Sequence, residues 1–213
     1  MNYIDIDERF KNKKLAPDDF YAVIEISKGS KNKYEYDHDT GLLNLDRILY
    51  TSTHYPENYG FIPNTLAEDG DPLDVLVMCS ETIVPLATVR CKAIGVVKMI
   101  DGGSRDYKII AVPLNDPFYN CYNDVSDLPI HLLEEIKHFF MVYKTLEGKV
   151  TNIKDVMGKD EARDVMNNCI KAKNEEKKWF DIFSHLLFLY KSNLFLKNNN
   201  NRPNSKIEYL EPL

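Results

Sequence analysis

The densest chemistry in this chain lies at Glu68-Asp69-Gly70-Asp71-Pro72-Leu73-Asp74-Val75-Leu76-Val77, where aspartates crowd a turn that runs into an apolar strand. Asp is depleted from strands and like charges held together repel, so such a cluster requires a cationic partner. Its oxygen donors suit a hard ion such as Mg²⁺ or Mn²⁺. A calcium-sensor loop does not fit. With Asp69 as its first position, Leu73 falls at the fifth, Leu76 at the eighth and Ser80 at the twelfth, and neither the glycine nor the bidentate glutamate is in place.

A second acidic constellation follows at Lys98-Met99-Ile100-Asp101-Gly102-Gly103-Ser104-Arg105-Asp106-Tyr107-Lys108, where a Gly-Gly turn folds Asp101 and Asp106 toward one point. Lys33, Arg47, Tyr55, Tyr59, Lys108, Tyr143 and Lys144 supply the complementary basic and phenolic half. Taken singly, each Lys or Arg reads as a solvated charge and each Tyr as core packing. Tyr143 lies on the apolar stripe of a helix, so its ring points inward and its hydroxyl needs a polar partner. Lys144, one residue on, projects about 100° away.

The elements that must position these groups are of two kinds. From Tyr21 to about Val112 the chain reads as short β-type runs between turn signals, the pattern of a small barrel or sandwich. The runs are Tyr21–Ile26, Lys33–Tyr36, Leu42–Leu49, Val75–Met78, Val89–Met99 and Lys108–Val112, with a hairpin turn at Asp37–Gly41. Pro56, Gly60, Pro63, Gly70 and Pro72 punctuate a long irregular stretch. After Pro117 the period changes. Leu132, Leu133, Ile136, Phe139, Phe140, Tyr143 and Leu146 share one helical stripe, with Ser126 or Asp127 as the expected cap, Pro129 in the first turn and Gly148 at the exit. A second helix is expected over Asp160–Ala172, with Ala162, Val165, Met166, Cys169 and Ile170 on one face.

The 213 residues are 44% hydrophobic and 28% charged, which excludes a largely disordered or fibrous chain. With 27 basic against 33 acidic side chains the net charge is −6, which argues against a general nucleic-acid binder. Cys79, Cys91, Cys121 and Cys169 have no paired spacing and read as free thiols in a reducing compartment. The acidic start, Met1 to Arg9, lacks the pattern of a secretory signal, and the expected location is the cytosol. Trp179–Leu196, the most apolar stretch, is interrupted by Asp181, His185, Lys191 and Asn193 and makes a poor membrane span.

Asp69-Gly70-Asp71-Pro72-Leu73-Asp74-Val75 resembles the signature of the soluble family I inorganic pyrophosphatases. Tyr21–Ile26 with Glu25, Lys33-Tyr34-Glu35, Asp46-Arg47, Tyr55-Pro56-Glu57-Asn58-Tyr59-Gly60, Lys98–Asp101 and His138–Lys144 follow in that family's order, from about Tyr21 to about Ala172. Gly102 stands where the family often has an acidic residue, while the five-residue step from Asp101 to Asp106 is kept. The resemblance implies an α+β fold, a five-stranded OB-like β-barrel with flanking helices. It also implies hydrolysis of pyrophosphate to two phosphates by a metal-activated water, with Mg²⁺ or another divalent ion such as Mn²⁺.

By the same resemblance Asp69, Asp74 and Asp106 hold the activating metals, Asp74 reaching both. Asp101 and Asp106 hold a third, and Glu25 helps position a further one. Asp71 is the general base. Lys33, Arg47, Tyr59, Lys108, Tyr143 and Lys144 grip the phosphates, with Lys33, Arg47 and Tyr59 counted with Asp71 in the catalytic set, and Glu35 and Tyr55 surround them. Pyrophosphate is the expected partner, with no nucleic acid and no membrane, and the assembly expected is a homo-oligomer. Two other readings stay open: a Mg-dependent hydrolase of nucleotides or polyphosphate, although no GxxxxGK[ST] loop is present, and a non-catalytic OB-type binding module. The expected organisation is one catalytic domain over 1–173 and a C-terminal extension over 174–213. That extension carries an apolar helical segment, expected to be covered by another subunit, and an Asn-rich mobile tail over 197–205.

Overall fold

The computed structural model describes residues 5–200 and divides the chain into two compact units that meet between Lys173 and Asn174. The first holds a short helix α1 (Ile6–Phe10), then β1 (Phe20–Ile26), β2 (Asn32–Asp37), β3 (Leu42–Ile48), β4 (Asn58–Phe61), β5 (Asp74–Val77), β6 (Thr88–Asp101), β7 (Ser104–Arg105), β8 (Lys108–Pro113), α2 (Ile130–Val142) and β9 (Thr151–Gly158). Helix α3 (Lys159–Asn200) begins in the first unit and supplies the described part of the second.

A seven-stranded mixed sheet runs β1-β4-β5-β8-β6-β7, with β9 also on β6. Because β1 pairs with β6 as well, the strands β1, β4, β5, β8 and β6 close into a five-membered ring. This mixed sheet with helices against it is the expected α+β class. Strand β6 serves four partners, β1, β7, β8 and β9, and bends at a bulge between Ala93 and Gly95. Gly95 is required there: a Cβ would lie 2.2 Å from Val125 Cγ1 and 2.7 Å from the Met157 carbonyl.

Alternation along the strands builds two cores. Leu76, Met78, Ile110 and Val112 join Ile136, Phe139 and Phe140 of α2, whereas Val75, Val77, Ile109 and Ala111 join Ala162, Val165 and Met166 of α3. The β2–β3 hairpin forms a separate two-stranded sheet. In its turn Asp37 Oδ1 accepts the amides of Asp39 at 2.8 Å and Thr40 at 3.1 Å, and Gly41 takes φ +72°.

Several expectations are corrected. The stretch read as irregular contains β4, and β9 and α1 went unread. Ser126 and Asp127 do not cap α2. They belong to a 3₁₀ turn, Val125–Asp127, capped by Asp124, and Pro129 precedes α2 with no side-chain cap. Helix α2 ends at Val142, so Leu146 leaves the apolar stripe and is exposed. Of the expected mobile tail over 197–205, residues 197–200 belong instead to the end of α3 and 201–205 lie outside the described residues.

Asp19 pins the entry to β1 onto β6, accepting from Arg90 Nε at 2.6 Å and Nη2 at 2.5 Å, with Lys14 at 3.1 Å. The Arg90 guanidinium, helped by Lys14, holds the Asp19 carboxyl down at about 2 against its ordinary 3.8. A depressed carboxylate stabilises the fold above its unfolded value, and that contribution is lost as pH falls from about 4 to about 2. Arg90→Met is therefore expected to flatten the fall in the urea midpoint between about pH 5 and about pH 2.5. An unchanged fall would remove this pair from the acid response.

Candidate active site

The parallel pairing of β5 with β8, the one parallel pair in the ring, sets the two strands' first residues side by side, Asp74 opposite Lys108. Their shared end opens into a cavity of about 330 Å³ lined by Glu25, Lys33, Glu35, Tyr59, Asp69, Asp71, Asp74, Asp101, Asp106, Lys108, Tyr143 and Lys144. Both acidic constellations of the sequence thus meet at one place. Among the candidates, Arg47 and Tyr55 stand outside this lining.

Each group is aimed by a local device. The turn before β5 places Asp71 N–H on Asp69 Oδ1 at 3.1 Å and Ala67 N–H on the Asp71 carbonyl at 2.8 Å, with Gly70 at φ +94°. The β6–β7 hairpin closes over Gly102 and Gly103, both at positive φ as a two-residue hairpin turn demands, so Asp101 pairs with Ser104 and Asp106 follows at once. The pairing of β1 with β4 slips between Ile24 and Ile26, and this irregularity falls on Glu25, whose Oε1 accepts the Tyr36 amide of β2 at 2.7 Å. Lys33 and Arg47 are cross-strand partners in the β2–β3 hairpin.

The cations are already engaged. Lys108, with a side chain only 3% exposed, bridges Asp74 and Asp106, and its ammonium lies 5.7 Å from the Tyr59 ring centre. Burial alone would depress its pKa, but the two carboxylates outweigh that and raise it. Lys144 pairs with Asp101 and lies 5.1 Å from the Tyr143 ring centre. Lys33 pairs with Glu35 and, at 3.1 Å, with Asp46. Arg47 is held by Asp46 and by Glu147, at 2.9 Å from Nε.

Burial pushes the Glu25 carboxyl up to about 8, with Asp74 adding to the shift and the Tyr36 amide opposing it. Burial also raises the Tyr59 and Tyr143 hydroxyls, and nearby carboxylates, Asp74 and Asp106 among them, raise both further. Desolvation of its carboxyl, with Asp71, Asp106 and Asp74 nearby, raises Asp69. Tyr55 packs in the core, its ring centre 5.4 Å from Tyr59 and 4.8 Å from Phe139, and so backs the wall rather than facing the cavity.

The lining holds seven carboxyl side chains (Glu25, Glu35, Asp69, Asp71, Asp74, Asp101, Asp106) against three amino groups (Lys33, Lys108, Lys144). Among the described residues no three of them are drawn close enough to coordinate one ion. The donors are nevertheless all hard oxygen atoms, and Lys108 already acts as a cation shared between Asp74 and Asp106. The set fits hard divalent ions.

Sequence reasoning missed Glu147 and His38. Glu147, which holds Arg47, follows Lys144 by three residues in a 3₁₀ turn, Thr145–Glu147, and that turn spacing was the available signal. His38 lines the cavity from the hairpin turn, where composition gave no hint.

The profile of the inorganic pyrophosphatase family matches residues 22–174. The chain is 52% identical over 160 residues to soluble inorganic pyrophosphatase 2 of Chlamydomonas reinhardtii, covering 75% of this chain and 83% of that one. It is also 52% identical over 153 residues to soluble inorganic pyrophosphatase 4 of Arabidopsis thaliana, covering 72% and 71%. Among solved structures, the inorganic pyrophosphatase of Helicobacter pylori superposes with a TM-score of 0.74 at 42% identity, covering 76% of this chain and 96% of that one.

Proposed function

The chain belongs to the inorganic pyrophosphatase family and hydrolyses pyrophosphate to two phosphates with divalent metal ions, and we propose that the cavity at the shared end of β5 and β8 is where it does so. The observation that carries this reading is the convergence of Asp69, Asp71, Asp74, Asp101 and Asp106 with Lys33, Lys108, Lys144, Tyr59 and Tyr143 on one cavity. We assign Asp69, Asp74 and Asp106 to the activating ions, Asp101 with Asp106 to a third, and Glu25 to the positioning of a further one, with Mg²⁺ as the physiological ion. Held by these carboxylates, divalent ions would neutralise the charge on the phosphate oxygens and lower the pKa of a bound water.

The chain's own residues do the rest. Asp71, at the exposed tip of its turn, accepts the proton from the attacking water. Lys33, Lys108 and Lys144 hold the phosphate oxygens in line and balance the charge that develops on the leaving group, and Arg47 reaches it from the adjoining hairpin. Tyr59 and Tyr143, whose raised pKa values keep them protonated, donate hydrogen bonds to phosphate oxygens. Glu35 restrains Lys33, and Tyr55 backs Tyr59.

We assign the protein to the cytosol, in keeping with its four free thiols. No described helix is long and apolar enough to cross a membrane. We also assign it a homo-oligomeric state.

Phosphate release should be measured from pyrophosphate, triphosphate and ATP. With Mg²⁺, pyrophosphate is expected to be hydrolysed at least 10²-fold faster than ATP, and excess EDTA should abolish the activity until Mg²⁺ is restored. Ca²⁺ should bind and support little turnover, because it takes more ligands at longer distances than an octahedral site offers. Full activity in EDTA, or equal rates on ATP, would overturn the assignment.

A further inference from the structure

In the second unit, α3 presents apolar side chains to solvent. Stepping about 100° per residue, Trp179, Ile182, Phe183, Leu186, Leu187 and Tyr190 fall within one arc of roughly 140°. Their exposures run from 43% at Leu187 to 73% at Trp179. Asp181, Ser184 and His185 occupy the opposite side of the helix, which they share with Phe188, 67% exposed.

The area decides what this face is for. Aromatic side chains carry about 150–250 Å² each. At the exposures of Trp179, Phe183 and Tyr190 the three rings present on the order of 400 Å², and the three aliphatic residues bring the stripe to roughly 650 Å². That exceeds what a lone soluble surface usually leaves open, about 300–600 Å². Two such stripes face to face bury about 1,300 Å², within the range of specific interfaces, about 1,200–2,000 Å².

The charge pattern selects the occupant. From Ile182 to Tyr190 the chain has no Lys, Arg, Asp or Glu, and His185 lies away from the stripe, so nothing in the stripe repels its own image. A helix that binds anionic membranes carries a net positive polar face, whereas in residues 174–190 Lys177 and Lys178 are outnumbered by Glu175, Glu176 and Asp181.

We propose that residues 174–190 of α3 form a self-association helix, whose stripe of Trp179, Phe183, Leu186 and Tyr190 packs against the same stripe of a second copy of this chain. The interface is isologous and two-fold, and it stands apart from the catalytic reading, which phosphate release tests separately.

The test uses the full chain. By light scattering after gel filtration, Phe183→Glu/Leu186→Glu is expected to lower the mass at least two-fold while specific activity on pyrophosphate stays within two-fold. An unchanged mass, or a monomeric wild type, overturns the proposal. As a check that does not depend on how that variant folds, Leu186→Cys should form an intermolecular disulfide under mild oxidation well above the unsubstituted chain, whereas Ser184→Cys should not. Equal cross-linking of both, or of neither, also overturns it. Vesicles of phosphatidylcholine and phosphatidylserine should not sediment the wild type. Co-sedimentation lost in the double variant, with no change in mass, would make the stripe a membrane contact instead.

Discussion

Asp71→Asn is expected to lower pyrophosphate turnover by about 10²–10⁴-fold at saturating Mg²⁺ while leaving the Mg²⁺ dependence close to wild type, as befits the loss of a general base. Asp71 sits exposed at the tip of the turn, where its amide and carbonyl shape the loop and its carboxylate is left for water. Asp74 is differently placed. It opens β5, touches the buried Lys108 and lies beside Tyr59, so its carboxylate belongs to the floor of the site. Asp74→Asn should therefore lose Mg²⁺ affinity as well as rate, and should also lower the melting temperature, because Lys108 then keeps only Asp106 against the cost of its burial. Calorimetric Mg²⁺ titration of both variants, beside initial rates and melting curves, separates the two roles. Equal loss of Mg²⁺ affinity in both would refute this division.

The acidic loop was legible because its chemistry conflicts with its place. Three aspartates at the mouth of the apolar run Val75-Leu76-Val77 would be costly without a cation, and the structure puts them at the end of a parallel strand pair. Asp101 and Asp106 were legible through the two glycines between them, since successive positive φ values fix a tight hairpin. The partners of the cations were not. Lys108 reads in sequence as a residue to grip phosphate, and only the β5–β8 register reveals that Asp74 lies directly opposite it. For Glu147 the turn spacing after Lys144 places the residue, but its contact with Arg47, a hundred residues away, comes only from the fold.

The elements that escaped reading share a cause as well. Strand β9 pairs along one side with β6, and its mixture of Asn152, Lys154 and Asp155 with Ile153 and Val156 gives no clean alternation. Helix α2 was placed by its stripe but overextended by a turn. Leu146 keeps the 3.6-residue phase, yet the chain leaves the helix after Val142 for the 3₁₀ turn that positions Glu147. Periodicity reports where a helix would face, and capping and local turns decide where it stops.

Gly60 is the residue whose role the sequence concealed most fully, and Gly60→Ala is expected to destabilise the protein by about 4 kcal/mol or more, a loss of roughly 8–16 °C in Tm. Among Pro56, Pro63 and Pro72 it passes for a turn residue. In the fold it sits within β4, fully enclosed and opposite Ile24 of β1. A Cβ there would lie 1.9 Å from the Val23 carbonyl oxygen, 2.8 Å from its carbon and 2.9 Å from Ile24 Cα. These are backbone atoms of a strand paired with both β4 and β6, so no rotamer change relieves the clash, and the ring must open at the β1–β4 seam. Opening it moves Tyr59 away from Lys108 and Glu25 off its amide, so activity should fall along with stability. Gly70→Ala provides the contrast. Gly70 has open space around it and a φ of +94°, so its cost is backbone strain alone, about 1–3 kcal/mol. Thermal and urea unfolding of the two variants should rank Gly60→Ala well below Gly70→Ala. A Gly60→Ala protein within about 1 kcal/mol of wild type would mean that β1 and β4 do not approach as closely as the ring requires.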